Sequence, residues 1–164
     1  MKLAWAAQLA AVTVGVALLG PAAAHEFKAG DLTIDHPSSR PSPPRASVGV
    51  GYVSIRNDGT EADRLIGGSA TVAARFEIHA STVEDEVARM RRVEDGIGLE
   101  PGATVKLASG GAHFMLLDLK APIVKGQSFD GTLVFERAGT VPVRFTVEGF
   151  GAATPSFSHE GHQP

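Results

Sequence analysis

Residues 129–147 read FDGTLVFERAGTVPVRFTV, and both ends of this stretch alternate apolar residues with other residues. Alternation with a period of two places the apolar side chains on one face of a β-strand. The segment Ala138-Gly139-Thr140 between the two runs has the composition of a tight turn. The stretch therefore predicts a β-hairpin that buries one face in a core.

Short alternating runs separated by turn residues continue through the rest of the chain. They occur at 32–34, 48–55, 75–80, 87–93, 105–107 and 113–119. Residues 38–46 are rich in Pro and Ser and predict a loop, and Asn57-Asp58-Gly59 predicts a turn. Strands of this length and spacing predict an all-β, antiparallel sandwich or barrel. The segment 82–92, in which Glu, Ala and Arg are frequent, also fits a short helix.

The first 24 residues have the pattern of a secretory signal. Lys2 gives a positive start, residues 3–19 are mostly apolar, and Ala22-Ala23-Ala24 is a small-residue cleavage pattern. A membrane anchor fits less well, because about 20 consecutive apolar residues are usually needed to span a bilayer. We therefore expect cleavage after Ala24, a periplasmic location and no stable membrane insertion.

The composition limits the partners and the metal ligands that the chain can have. It contains 15 Lys and Arg, 18 Asp and Glu, and no Cys. The lack of a basic run argues against nucleic acid as a partner. Without cysteine there is no disulfide framework and no residue to carry a lipid, so we expect packing alone to stabilise one domain, residues 25–149. Residues 150–164, rich in Gly, Ser, Pro and His, predict a disordered tail.

The two methionines beyond the first residue each follow a histidine at short range. His79 precedes Met90 by eleven positions, and His113 precedes Met115 by two. Imidazole nitrogen and thioether sulfur together suit monovalent copper, and thioethers form no disulfides in an oxidising compartment. The four side chains therefore predict a copper site. The alternative is that the methionines fill the core and the histidines are ordinary polar residues.

The strand prediction tests whether these side chains meet. His113 and Met115, two apart on a strand, point to the same face. If 75–80 and 87–93 form a hairpin centred between residues 84 and 85, His79 lies directly opposite Met90. Directly opposed residues have Cβ atoms about 4.5–5.5 Å apart, which suits a shared ion. Periodicity does not show how the pair His79 and Met90 comes to lie near the pair His113 and Met115.

The chain resembles a known family at these residues. His79-x10-Met90-x22-His113-x-Met115 resembles the signature of the periplasmic copper-A chaperones, the PCuAC family. Further segments across residues 25–148 are also similar to the family: 25–32, Tyr52-x-x-Ile55-x-Asn57, Ala62-Asp63-Arg64-Leu65 and Gly110-Gly111-x-His113-x-Met115-Leu116. One departure is Ser38, because many members have Trp after the His-Pro that is His36-Pro37 here.

The resemblance implies a fold, a ligand set and a role. The fold is a cupredoxin-like Greek-key antiparallel β-sandwich, and the ligands of one Cu(I) are His79, Met90, His113 and Met115. The role is delivery of copper toward the copper-A centre of cytochrome c oxidase, to subunit II directly or through a thioredoxin-like assembly factor, with no catalysis. A copper buffering or resistance protein, or a metal-free interaction module, are the alternatives.

The remaining histidines leave a second copper site open. After cleavage, the α-amine and ring of His25 could chelate divalent copper, and His159 and His162 in the tail could add to such a Cu(II) site. A flexible terminus and a disordered tail explain the same residues. A copper enzyme built on His25 would need a second histidine, for which His36 is the nearby candidate. We treat His36 as a structural loop residue.

Overall fold

The described residues of the computed structural model, 26–84 and 87–149, form strands, turns and loops without a helix. The all-β prediction is therefore confirmed there, and the helical alternative for 82–92 is wrong for the residues that the structure describes. The predicted signal 1–24, His25 and the tail 150–164 lie outside the described residues. The strands are β1 (Glu26–Ala29), β2 (Leu32–Ser39), β3 (Val48–Asn57), β4 (Asp63–Ala70), β5 (Ala73–Glu84), β6 (Val87–Arg92), β7 (Ile97–Leu99), β8 (Thr104–Leu107), β9 (Ala112–Leu119), β10 (Ser128–Phe135) and β11 (Gly139–Val147).

The strands are hydrogen-bonded in the order β6-β5-β9-β3-β2-β11-β10-β4-β7, with β1 on β2 and β8 on β3. Neighbours are antiparallel except β11 and β2, which pair in parallel at Thr146↔Ser38 and Val147↔Ser39. The predicted hairpin 129–147 is confirmed as β10 and β11, which close at Phe135↔Gly139. In the described part of the chain no helix is both long and apolar enough to cross a membrane.

The core lies between the two halves of this folded sheet. Phe114 on β9 packs against Phe76 on β5, with ring centroids 4.7 Å apart, and edge-on against Phe145 on β11 at 6.2 Å. Phe145 in turn stacks on Phe129 of β10 at 5.2 Å. This aromatic row joins the two halves of the sheet, so the inward-facing side chains of β5 and β9 are held by packing. The opposite face of these two strands is available for a binding site.

One predicted boundary is wrong. The sequence placed His36 in a loop and began a further loop at residue 38, but β2 continues through both positions to Ser39. A register shift between Asp35 and Ser38 takes up the irregular backbone, in which His36 has a φ of 52°. A bulge accommodates a residue that cannot join the ladder, as Pro37 cannot, without ending the strand. The His36 ring lies 2.6 Å from a Glu148 carboxylate oxygen, which is a structural contact.

Candidate metal centre

β5 and β9 place the two site histidines side by side. His79 is directly opposite His113 in the antiparallel register, and the ring centroids are 6.1 Å apart. Met115, two residues after His113, lies on the same face as predicted, opposite Glu77 on β5 and Val50 on β3. The adjacency of β5 and β9 therefore joins the two histidine–methionine pairs that the sequence left separate.

The predicted register of the β5–β6 hairpin is wrong by two residues. His79 is opposite Arg92, and Met90 is opposite Ser81. The strands pair up to Glu84↔Val87, so the turn falls one residue later than the composition of the acidic segment indicated. A slip of two residues preserves the face of every side chain, whereas a slip of one would reverse it. Met90 therefore stays on the face of His79, as its diagonal neighbour at a distance that long side chains span.

The two methionines differ in their surroundings. Met115 is half-buried, whereas Met90 is 54% exposed on β6, the edge strand of the sheet. An exposed methionine contributes little to a core, so the interpretation of Met90 as core filler is not supported. The arrangement leaves the histidine pair covered and one thioether open to solvent.

His113 has one ring nitrogen committed and one free. Its Nδ1 lies 3.0 Å from the carbonyl oxygen of Gly111. A carbonyl only accepts, so Nδ1 carries the proton and donates, and in the neutral ring Nε2 holds a lone pair. His113 is 5% exposed, and its Nε2 is buried without a hydrogen-bond partner. Such an unpaired buried atom is uncommon in folded proteins and calls for a partner.

His79 repeats this arrangement with the nitrogens exchanged. Its Nε2 lies 2.9 Å from Oε2 of Glu77, and its Nδ1 is buried without a hydrogen-bond partner. The hydrogen bond from His79 lowers the pKa of Glu77, against the opposing effect of desolvation. The positive charges of Arg92 and Arg75 lower it further. Glu77 therefore accepts from Nε2–H of His79, which leaves Nδ1 as the ring nitrogen that can present a lone pair.

These nitrogens fit a metal that accepts neutral ligands. Two lone pairs on facing strands lack partners, and a cation between them would satisfy both. Within residues 26–84 and 87–149 no group of three or more His, Cys, Asp or Glu could hold a metal ion. A site at this place therefore depends on thioether sulfur, and the ligand set His79, Met90, His113 and Met115 stays a prediction. The sequence reading missed Glu77, although its spacing of two from His79 on a strand already indicated a shared face.

The family follows from comparison with known proteins. A model of the LpqE-like family, described as "Putative lipoprotein LpqE-like", matches residues 32–147. The copper-bound PCuAC domain from PmoF2 is 30% identical, with a TM-score of 0.66, over 76% of this chain and 98% of that domain. The chain belongs to the LpqE-like/PCuAC family. The resemblance drawn from the sequence is therefore confirmed, as is the cupredoxin-like β fold.

The chain is also similar to other known proteins. The apo PCuAC domain from PmoF1 is 28% identical, with a TM-score of 0.65, over 76% of this chain and 99% of that domain. Apo-DR1885 from Deinococcus radiodurans, at 21% identity and a TM-score of 0.58, shares the fold over 88% of this chain. "Putative lipoprotein Lxx21020" of Leifsonia xyli is 29% identical over 106 residues, and the match spans 64% of its length.

Proposed function

We propose that this PCuAC-family protein is an exported copper chaperone that carries one Cu(I) on His79, Met90, His113 and Met115. The observation that carries the proposal is the pair of unpartnered lone pairs, Nδ1 of His79 and Nε2 of His113, on facing strands. The copper-bound state of the PmoF2 domain, with 30% identity to this chain, supports the same cargo. The signal pattern of residues 1–24 supports a periplasmic location.

The chemistry of the four side chains favours the monovalent ion. Two neutral imidazoles and two thioethers add no negative charge, and thioethers are soft ligands that suit Cu(I) better than Cu(II). In each histidine one ring nitrogen is engaged in a hydrogen bond and the other has no partner, so the nitrogen left for copper does not have to give up a hydrogen bond.

The site is also suited to giving its copper away. It contains no thiolate, so an acceptor with cysteine ligands is softer and attracts the ion. Met90 is exposed on the edge strand, which provides a side from which an acceptor can reach the copper. We propose the copper-A centre of cytochrome c oxidase as the destination, reached through subunit II directly or through a thioredoxin-like assembly factor. Copper buffering without an oxidase partner is the competing role.

The first prediction concerns binding. Anaerobic titration of the protein with Cu(I) against a chromophoric chelator is expected to show one equivalent bound. Met90→Leu is expected to weaken binding roughly tenfold or more, because it removes a thioether while keeping the size and apolar character of the side chain. Val87→Leu is the matched control, since Val87 is 55% exposed on the same strand and on its other face. Binding of equal strength in all three proteins would exclude Met90 from the site.

The second prediction separates delivery from buffering. Protein loaded with Cu(I) is mixed with the reduced, metal-free copper-A domain of oxidase subunit II, and the two are separated and assayed for copper. A chaperone is expected to transfer most of its copper, because the two acceptor cysteines bind it more strongly. An acceptor with both cysteines replaced by alanine serves as the control. Copper that stays on the loaded protein in both mixtures would support buffering instead.

A further inference from the structure

Glu77 links the histidine pair to two arginines. Its Oε2 accepts the hydrogen bond from Nε2 of His79 at 2.9 Å, while its Oε1 lies 3.5 Å from both Arg75 Nη1 and Arg92 Nη1. The two oxygens thus have different partners, so rotation of the carboxylate would break contacts at both. The Glu77 side chain is also largely buried, which limits the competition of water for these contacts.

The arginine on the same strand is itself held in place. Arg75 Nε donates to Oδ2 of Asp118 on β9 at 2.8 Å. The chain of contacts therefore runs from Asp118 through Arg75 to Glu77 and ends on the ring of His79. Each member is anchored on β5 or β9, the strands that carry the two histidines. An imidazole at the end of such a chain has one favoured ring orientation.

We propose that Glu77 is a positioning residue that turns Nδ1 of His79, rather than Nε2, toward the copper. The inference rests on the proposed function and adds to it an asymmetric site. His79 binds through Nδ1 because Glu77 engages its Nε2–H, and His113 binds through Nε2 because the Gly111 carbonyl engages its Nδ1–H. A carboxylate behind a metal-binding histidine also orients the ring and raises its basicity.

Two substitutions at position 77 separate orientation from simple structural support. Glu77→Leu removes the acceptor, and we expect Cu(I) affinity to fall about 10- to 100-fold. Glu77→Gln retains an oxygen that can accept from Nε2 of His79 but weakens the ion pairs with Arg75 and Arg92. It is expected to recover most of the lost affinity. Glu136→Gln, at an exposed carboxylate that pairs with Arg64 away from the site, is the control and should bind as wild type.

The decisive readout is the identity of the bound nitrogen. Cu(I) is diamagnetic, so long-range ¹H–¹⁵N correlation spectra of the full chain report each ring nitrogen with and without copper. In wild type and Glu77→Gln, copper is expected to shift Nδ1 of His79 and Nε2 of His113. In Glu77→Leu the His79 ring is expected to lose this single orientation, so that Nδ1 is no longer the uniform site of the shift.

The outcomes distinguish this inference from the proposed function. If wild type binds one Cu(I) but His79 does so through Nε2, the positioning role is overturned and the chaperone proposal stands. If Glu77→Gln loses as much affinity as Glu77→Leu with Nδ1 still bound in both, the ion pairs with the arginines matter rather than the ring orientation, and the role is again overturned. If wild type binds no copper, both proposals fail together.

Discussion

The His113→Leu variant is expected to bind Cu(I) more than about 100-fold more weakly than wild type, while its metal-free form unfolds no more easily. The loss of affinity is expected because His113 is a predicted ligand, and loss of a ligand should exceed the effect of about 10- to 100-fold that follows from removal of an outer contact alone. Met115, Met90 and His79 remain on the same face, but one imidazole and two thioethers hold copper poorly against a competing chelator. A loss of binding without a loss of stability would identify His113 as a residue kept for function.

The stability half of this prediction rests on the buried ring nitrogen. An unpaired polar atom in the interior costs about 1–3 kcal/mol, and Nε2 of His113 is such an atom. Leucine removes it. The hydrogen bond from Nδ1 is lost as well, but the Gly111 carbonyl keeps the amide of Ser81 as a donor at 3.2 Å. We therefore expect the free energy of unfolding of the metal-free protein to stay level or to rise by about 1 kcal/mol.

Urea denaturation of the metal-free proteins measures the stability, and chelator competition for Cu(I) measures the copper affinity. His36→Asn is the matched control, because His36 lies in β2 and asparagine tolerates its positive φ. That variant should keep wild-type copper affinity. A His113→Leu protein that still bound copper tightly but unfolded at markedly lower urea would instead make His113 a structural residue, and the copper site would have to be sought elsewhere.

The elements that the sequence predicted well depend on local pattern. The period of two in 129–147 is sufficient to place β10 and β11, because each strand has one face that must be buried. The same rule puts His113 and Met115 on one face without any knowledge of their neighbours. The family resemblance reached further, since it used the positions of all four predicted ligands together.

The elements that the sequence missed depend on pairing between strands. Alternation fixes which face a side chain takes but not which strand lies next to it, so the contact of His79 with His113 was not derivable. The hairpin register failed for a related reason: turn composition locates a turn only to within a residue or so, and each such step moves the partner by two. The predicted face of Met90 is nevertheless correct, because a shift of two residues keeps each side chain on the same face. Glu77 shares a face with His79 by its spacing of two, but its contact with Arg92 depends on the pairing of β5 with β6, which the sequence did not give.

The Phe114→Ala variant is expected to lose about 3–5 kcal/mol of unfolding free energy. Phe114 is fully buried and touches both layers of the core, with Phe76 on one side and Phe145 on the other. Alanine would leave a cavity between them. The loss is large because the total free energy of unfolding of such a domain is only about 5–15 kcal/mol. Phe114→Leu retains an apolar side chain that fills part of the space, so its loss should be clearly smaller. Urea denaturation of the metal-free proteins measures both.

Phe114 lies between His113 and Met115 on β9 and faces the other side of the strand. Substitutions on the two faces are therefore expected to have opposite effects on packing and on stabilisation by copper. Phe114→Ala removes packing and leaves the predicted ligands in place, so Cu(I) is expected to stabilise it by binding only the folded state, by RT ln(1 + [Cu]/Kd). His113→Leu leaves the packing and removes a predicted ligand, so the same Cu(I) should not stabilise it. Denaturation with and without Cu(I) compares the two directly. If copper raised the stability of both variants equally, binding would not depend on the outer face of β9, and the site as proposed would be wrong.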